Sequence, residues 1–407
     1  MEYFRLFSDL KGKSAFEQDS IPLGEGIVLY NCSFLSANAS ILPGEPFYEC
    51  PLDGFTSTNE QDFRNPLAVS DHLLDIHDSQ VKENKQFRYH ILARTTDRPI
   101  TRFVLMFHGF NEKTWDKYLP WAMKIVEGTG KAVVLFPFAF HMNRAPLEWS
   151  DSRKMQKISE ERRRTFPHLV SSTFSNVAIS SRIHIQPQRF FWSGLQSYYD
   201  VIQLLDQIKS GNHALIIPDA EFDLFTYSIG GLLAQILMMT NHKDYFSSSK
   251  LCLFCGGAVF NRLSPVSRFI LDSEANVALY SYIIEHLESH LKNDVRLRHY
   301  LAGVHPEGIT FFSMLNYNLM RKERETILQK ISHQVLAIPL EQDTVVPSYE
   351  VINTLQGSRR QIPIPVEVLD FPYPYHHENP FPADRRIAGE VTAAFNMVFE
   401  RVSRFLG

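Results

Sequence analysis

Short runs of five or six almost wholly apolar residues recur along the chain: FVLMF at 103–107, AVVLF at 132–136, FDLFTY at 222–227, LCLFC at 251–255 and VLAIPL at 335–340. A strand with one wet face alternates apolar and polar residues, so unbroken apolarity over this length requires cover on both faces. Between the runs lie stretches with helical spacing, WDKYLPWAMKIVEG at 115–128, SGLQSYYDVIQLLDQIK at 193–209 and GLLAQILMM from 231. Strand alternating with helix predicts a mostly parallel, twisted α/β sheet flanked by helices on both sides. In the 193–209 stretch, Ser193 with Gln196 reads as a capping box and Gly211 as a stop, which makes Ser193 structural. A last helix, from about 385 to 404, follows Pro380 and Pro382 and aligns Ile387, Val391, Phe395, Val398 and Val402 on one stripe.

Three regions fall outside this alternation. Residues 1–95 carry period-two material, GIVLYNCSF at 26–34 and FRYHILAR at 87–94, and are expected to extend the sheet edge with antiparallel strands. Residues about 141–190 form an insertion into the core, which comprises 96–260 and 333–407. Residues 261–332 are helical in pattern and sit between two core strands, as a cap would.

Composition narrows the function. Lys plus Arg is 41 against 45 Asp plus Glu, a formal charge of −4, without the positive field of a nucleic-acid binder. The densest charged stretch, KISEERRRTF at 157–166, mixes signs at helical spacing and reads as a solvated helix face. The longest apolar run, at 231–239, is half a membrane span and contains Gln235, while the start MEYFRLFSDLKGK has charges throughout. A cytoplasmic protein without a membrane span is the expectation. Among the 4 cysteines, Cys252 and Cys255 form a CxxC, but in a strand they would point to opposite faces. Buried core thiols are expected there, rather than a metal or redox pair. The sequons at Asn31 and Asn38 would matter only after secretion.

Chemistry concentrates after the apolar runs. In DLFTYSIGG a strand ends at Ser228 and turns directly into a helix, the layout of a nucleophile elbow. Such a turn needs small neighbours two residues away on each side; Gly230 fits well and Thr226 tolerably. The run FVLMF ends in His108-Gly109-Phe110, a loop placed to offer the Phe110 N–H to an oxyanion, with the Ile229 N–H as second donor. VLAIPL leads into Glu341-Gln342-Asp343-Thr344-Val345-Val346-Pro347, where Asp343 is the candidate orienting acid and Glu341 the alternative. Strand-like IPVEVLD at 364–370 leads into FPYPYHHENPFP, which offers His376 or His377. The HExxH spacing that would make His377-Glu378 a metal site is missing.

With HGF, YSIGG, EQDTVVP and HHENPF in this order, residues 100–407 resemble the α/β-hydrolase superfamily, and particularly a bacterial branch with a large insertion before the nucleophile strand. The resemblance implies the α/β-hydrolase fold and a triad of Ser228, Asp343 and His377. His377 is preferred to His376 because His-Glu-Asn-Pro-Phe resembles the segment entering the final helix in relatives. It implies a serine hydrolase acting on an ester or thioester of a small acyl substrate, needing neither metal nor organic cofactor. A non-catalytic binding protein of the same fold, or an acyltransferase or lyase using the same triad, are the alternatives. The insertion places His141, Asn143, Arg144 and Trp149 just after the AVVLFPF strand, where they could contact substrate or anchor the insertion. Tyr227 and His376 complete the candidate binding residues.

Overall fold

A computed structural model describes residues 2–15, 17–44, 47–50, 52–57, 65, 74, 77–301 and 304–407. Its strands are Ser20–Gly24 (β1), Ile27–Leu35 (β2), Tyr48–Glu49 (β3), Thr56–Ser57 (β4), Gln86–Arg94 (β5), Ile100–Phe107 (β6), Ala132–Leu135 (β7), Ile216–Tyr227 (β8), Leu251–Phe254 (β9) and Val335–Ile338 (β10). Each of the five apolar runs supplies one strand of an eight-stranded sheet, ordered β1-β2-β5-β7-β6-β8-β9-β10. The strands from β7 to β10 are parallel, and β1, β2 and β5 form the expected antiparallel edge. Beyond β10 the segment 364–370 continues the sheet only through isolated parallel bridges, Ala337 to Val366 and Leu340 to Leu369. Pro363 and Pro365 lack the N–H groups a regular strand would donate, which keeps this edge irregular. The interchange of β6 and β7, the antiparallel β5 beside them and the parallel run onward constitute the α/β-hydrolase fold.

Register sets the position of the site. Phe107 pairs with Thr226, Tyr227 with Phe254, and Phe254 with Ile338. The loops that leave β6, β8, β9 and β10 therefore emerge along one rim of the sheet. One face of the sheet is covered by helices Tyr3–Leu10, Tyr118–Thr129 and Ala388–Leu406, whose buried residues share a hydrophobic layer with Val104, Phe225 and Phe254. The other face packs against Arg189–Lys209 and Gly230–Thr240. Helices Ser273–Ser281, Val295–Leu301, Pro306–Ser313 and Arg321–Lys330 fill the 261–332 stretch, and their Leu279, Leu297, Phe311 and Leu328 join that same core. No helix among the described residues is long and apolar enough to cross a membrane.

Several local expectations are corrected. The helix expected at 193 begins at Arg189, and Ser193 lies inside it, accepting a hydrogen bond from Arg182 at 2.9 Å; it caps nothing. The charged stretch belongs to helix Ser152–Thr165, capped by Asp151, and is not uniformly solvated: Arg162 is buried and forks onto Asp272 at 2.7 and 2.9 Å, while Arg163 and Arg164 remain exposed. Cys255 lies one residue past β9 with φ 48°, so strand alternation does not reach it, and it packs in the same layer as Cys252. Both are buried free thiols.

Candidate active site

Ser228 follows the last residue of β8 with φ 56°, a left-handed conformation that a serine adopts only where its surroundings enforce it. The enforcement is visible at two glycines. A Cβ on Gly230 would lie 2.9 Å from the His108 carbonyl oxygen, and one on Gly256 would lie 2.8 Å from the Ser228 carbonyl oxygen. Only glycine permits the backbone to approach this closely on both sides of the turn. Thr226, the departure from the usual small residue, is fully buried and packs beneath the turn.

His377 arrives on the proline-rich loop. Phe371, Tyr373, Tyr375 and His377 are buried while Pro372, Pro374 and His376 are exposed, a period of two that an extended backbone produces. This alternation decides between the two histidines: His377 faces inward and His376 faces solvent. Ser228 Oγ lies 2.6 Å from His377 Nε2, and His377 Nδ1 lies 2.7 Å from Asp343 Oδ2. With the carboxylate accepting from Nδ1–H, the lone pair of Nε2 is turned to the hydroxyl. Asp343 also uses its other oxygen to accept from the Val345 and Val346 N–H groups, both at 2.9 Å. One oxygen of the carboxylate thus caps the turn while the other bonds the imidazole, so the two uses expected as alternatives coexist. Glu341, the alternative acid, is exposed and approaches Ser348 Oγ at 3.4 Å.

Phe110 and Ile229 lie at the same rim, and among the described residues neither backbone N–H has a hydrogen-bond partner. The loop carrying Phe110 is held by a chain that sequence reading missed. Gly109 N–H donates to Tyr118 Oη at 2.8 Å, Tyr118 donates to Glu112 at 2.9 Å, and Lys117 bridges Glu112 to the Glu378 carbonyl at 3.1 Å. The oxyanion-side loop and the residue after His377 are thus tied through one ammonium. The signal available was the cluster of charged residues directly after HGF in an otherwise apolar region.

An apolar cavity of about 60 Å³ opens beside the elbow. Its walls include Phe110, Ile229, Leu232, Phe190 and Phe311, with His141, Arg182, Ser193 and Ser197 as polar members; Ser228 itself is not a wall. His141 donates from Nδ1 to the Ala139 carbonyl at 2.8 Å, its buried Nε2 has no partner among the described residues, and burial depresses its pKa to about 4. His108, fully buried, bonds the Phe138 N–H through Nε2 at 2.9 Å and locks the loop after β6 to that after β7.

The remaining sequence candidates lie elsewhere. Arg144 is fully buried, paired with Asp200 at 2.6 Å and bonded to Asn84 and the Pro137 carbonyl; it anchors the segment after β7 to the helix Arg189–Lys209, because an unpaired guanidinium could not be held in so dry a place. Asn143 bonds the Arg88 carbonyl, and Trp149 packs on Phe140 at 6.3 Å. Tyr227 is not open to a ligand: its ring stacks on His377 at 5.3 Å and 16°, so it is a floor beneath the imidazole.

The model of the family of unknown function DUF6051 matches residues 1–407, so the chain belongs to that family. No curated protein sequence matches it. Among solved structures, carboxyl esterase 2 of the mycorrhizal fungus Tuber melanosporum is similar at 12% identity, with 90% of this chain and 88% of that one covered and a TM-score of 0.45. The peroxisomal alpha-beta-hydrolase Lpx1 of Saccharomyces cerevisiae is 10% identical, covering 93% and 90% at TM-score 0.39. A thermostable esterase of Pseudomonas putida is 10% identical, covering 79% and 80%, also at 0.39.

Proposed function

We propose that this member of DUF6051 is a serine hydrolase that cleaves an ester or thioester of a small acyl substrate through an acyl-enzyme. The observation that carries the reading is the continuous hydrogen-bonded line from Ser228 Oγ through His377 to Asp343, at 2.6 and 2.7 Å. Ser228 Oγ attacks the acyl carbonyl while His377 Nε2 takes its proton; Asp343 fixes the Nδ1–H tautomer and stabilises the imidazolium. The Phe110 and Ile229 N–H groups receive the negative charge that develops on the carbonyl oxygen. His377 then returns the proton to the leaving alcohol or thiol. Water, deprotonated by the same nitrogen, attacks the acyl-enzyme and frees the acid and Ser228. No metal or organic cofactor enters these steps.

The apolar cavity at Ile229 is the acyl slot, and residues 261–332 serve as its cap, since Phe311 is among its walls. A space this narrow suits a slim chain better than a branched or aromatic acyl group. Turnover of p-nitrophenyl esters and acyl thioesters of increasing acyl length tests the reading. Hydrolysis should favour straight acyl chains over branched ones and vanish in Ser228→Ala. Absence of turnover on every ester and thioester by folded protein would oppose it.

A further inference from the structure

A second cluster of reactive side chains lies away from the elbow. Cys50 follows β3, Asp53 lies in the turn between β3 and β4, His299 belongs to helix Val295–Leu301, and His305 caps helix Pro306–Ser313. The donor atoms of Cys50, His299 and His305 all lie within 4.8 Å of one another. His305 Nε2 is 3.0 Å from His299 Nε2 and 3.4 Å from Cys50 Sγ, and Asp53 Oδ1 is 3.6 Å from His299 Nε2.

The outer contacts of His305 fix which of its nitrogens faces the cluster. His305 Nδ1 donates to Glu307 Oε1 at 2.7 Å, and the Tyr199 hydroxyl donates to the same carboxylate. His305 Nε2 therefore faces the cluster with a single lone pair, shared between His299 Nε2 and Cys50 Sγ, while the Cys50 thiol also reaches the Asp53 carboxylate. A cation at the centre would bind Cys50, His299 and His305 at once, and Asp53, which stands outside that group of three beside His299, would complete the set by turning its exposed side chain inward. Bonds of the lengths zinc makes to sulfur, nitrogen and oxygen place tetrahedral ligands roughly 3.3–3.7 Å apart, close to the separations found here. A carboxylate on the far nitrogen of a ligand histidine, as Glu307 is on His305, is the usual outer support of such a site.

We propose that Cys50, His299, His305 and Asp53 bind one Zn²⁺ that fastens the β3–β4 hairpin to the helices at 295–301 and 306–313. One thiolate, two imidazoles and one carboxylate form a borderline-soft set that suits zinc and not the oxygen-seeking Mg²⁺ or Ca²⁺. On binding, the S–H bond of Cys50 breaks, its proton goes to solvent and its electron pair forms the zinc–sulfur bond. The two anionic ligands neutralise the dication, which removes the cost of holding it where Cys50 and His305 are buried. The sequence separation between Cys50 and His305 is 255, so the metal joins two segments that no local interaction would bring together.

The test is the zinc content and zinc uptake of the full chain, read alongside circular dichroism for folding. Wild type and Cys252→Ser should each hold about one equivalent, as purified or after adding zinc in competition with a chromogenic chelator, while Cys50→Ser and His305→Ala hold well under half of that. Cobalt added in place of zinc should give wild type and Cys252→Ser a thiolate-to-metal charge-transfer band that Cys50→Ser lacks. Folded wild type that neither carries nor takes up an equivalent overturns the proposal, whatever the variants do. Folded Cys50→Ser and His305→Ala that retain the full equivalent, with the cobalt band intact, also overturn it.

Discussion

The Ser228 rim and the Cys50 cluster are both constellations of side chains far apart in sequence, yet they are built in different ways. Ser228 and Asp343 stand on loops issuing from β8 and β10, parallel strands on either side of β9, and His377 follows the irregular edge at 364–370, so the register of the sheet determines where the three meet. The Cys50 cluster has no shared sheet; a two-residue-strand hairpin meets two short helices, and side-chain chemistry alone closes the contact. The lesson is that the first site should tolerate loss of its reactive groups without loss of fold, whereas the second is part of what holds its neighbourhood together.

The sharpest way to break this contrast is to remove a group from each site. Ser228→Ala should lower kcat on a reactive ester by a factor of about 10⁴–10⁶ and leave Tm unchanged. His305→Ala should do the opposite, lowering Tm while keeping the kcat of the folded molecules within about threefold of wild type. A stability loss in Ser228→Ala comparable to that in His305→Ala would erase the distinction.

A smaller effect separates anchoring from catalysis near the rim. Arg144→Ala should cost about 3–5 kcal/mol in denaturant unfolding, because Asp200 is left buried and unpaired, with KM for a small ester unchanged. A raised KM at normal stability would return Arg144 to the substrate. Smaller again is Gly230→Ala. In an ordinary helix the change would stabilise, but the new Cβ meets the His108 carbonyl at 2.9 Å, so a net loss of about 1–3 kcal/mol and reduced kcat are expected from urea titration and ester assays.

The smallest is a slope in pH. Burial holds both His90 and His141 at about 4, below the unfolded value near 6.5, so the unfolded chain binds protons first as acid is added. Their contribution is complete above pH 6.5 and declines as the pH falls toward 4, by about 1.4 kcal/mol per pH unit for each histidine. Unfolding free energies measured across this window should show the decline, and His141→Gln should shallow it.

The rim was largely legible because each of its parts follows an apolar run, and such runs reveal strand ends without knowledge of the partner strand. Which histidine faces inward was also written in the chain: Phe371, Tyr373, Tyr375 and His377 alternate with residues that need not be buried, a period-two pattern that puts His377 on the buried side where the expectation rested on resemblance. What misled was local plausibility. Ser193 with Gln196 has the spacing of a cap, yet the helix starts four residues earlier. Arg144 sits beside a strand end, yet its partner Asp200 comes from a helix far along the chain. The Cys50 cluster was illegible for the same reason in stronger form, since neither Cys-x-x-Asp at 50–53 nor the His299 and His305 pair carries a recognisable spacing alone.

The central claim, that Ser228 is a nucleophile activated by His377, is tested most directly by a fluorophosphonate probe followed by mass spectrometry of the digested protein. The account predicts one covalent adduct, on the peptide containing Ser228, absent from folded Ser228→Ala and strongly diminished in folded His377→Ala. A folded wild-type protein that resists the probe, or an adduct that persists at another serine in Ser228→Ala, would contradict it.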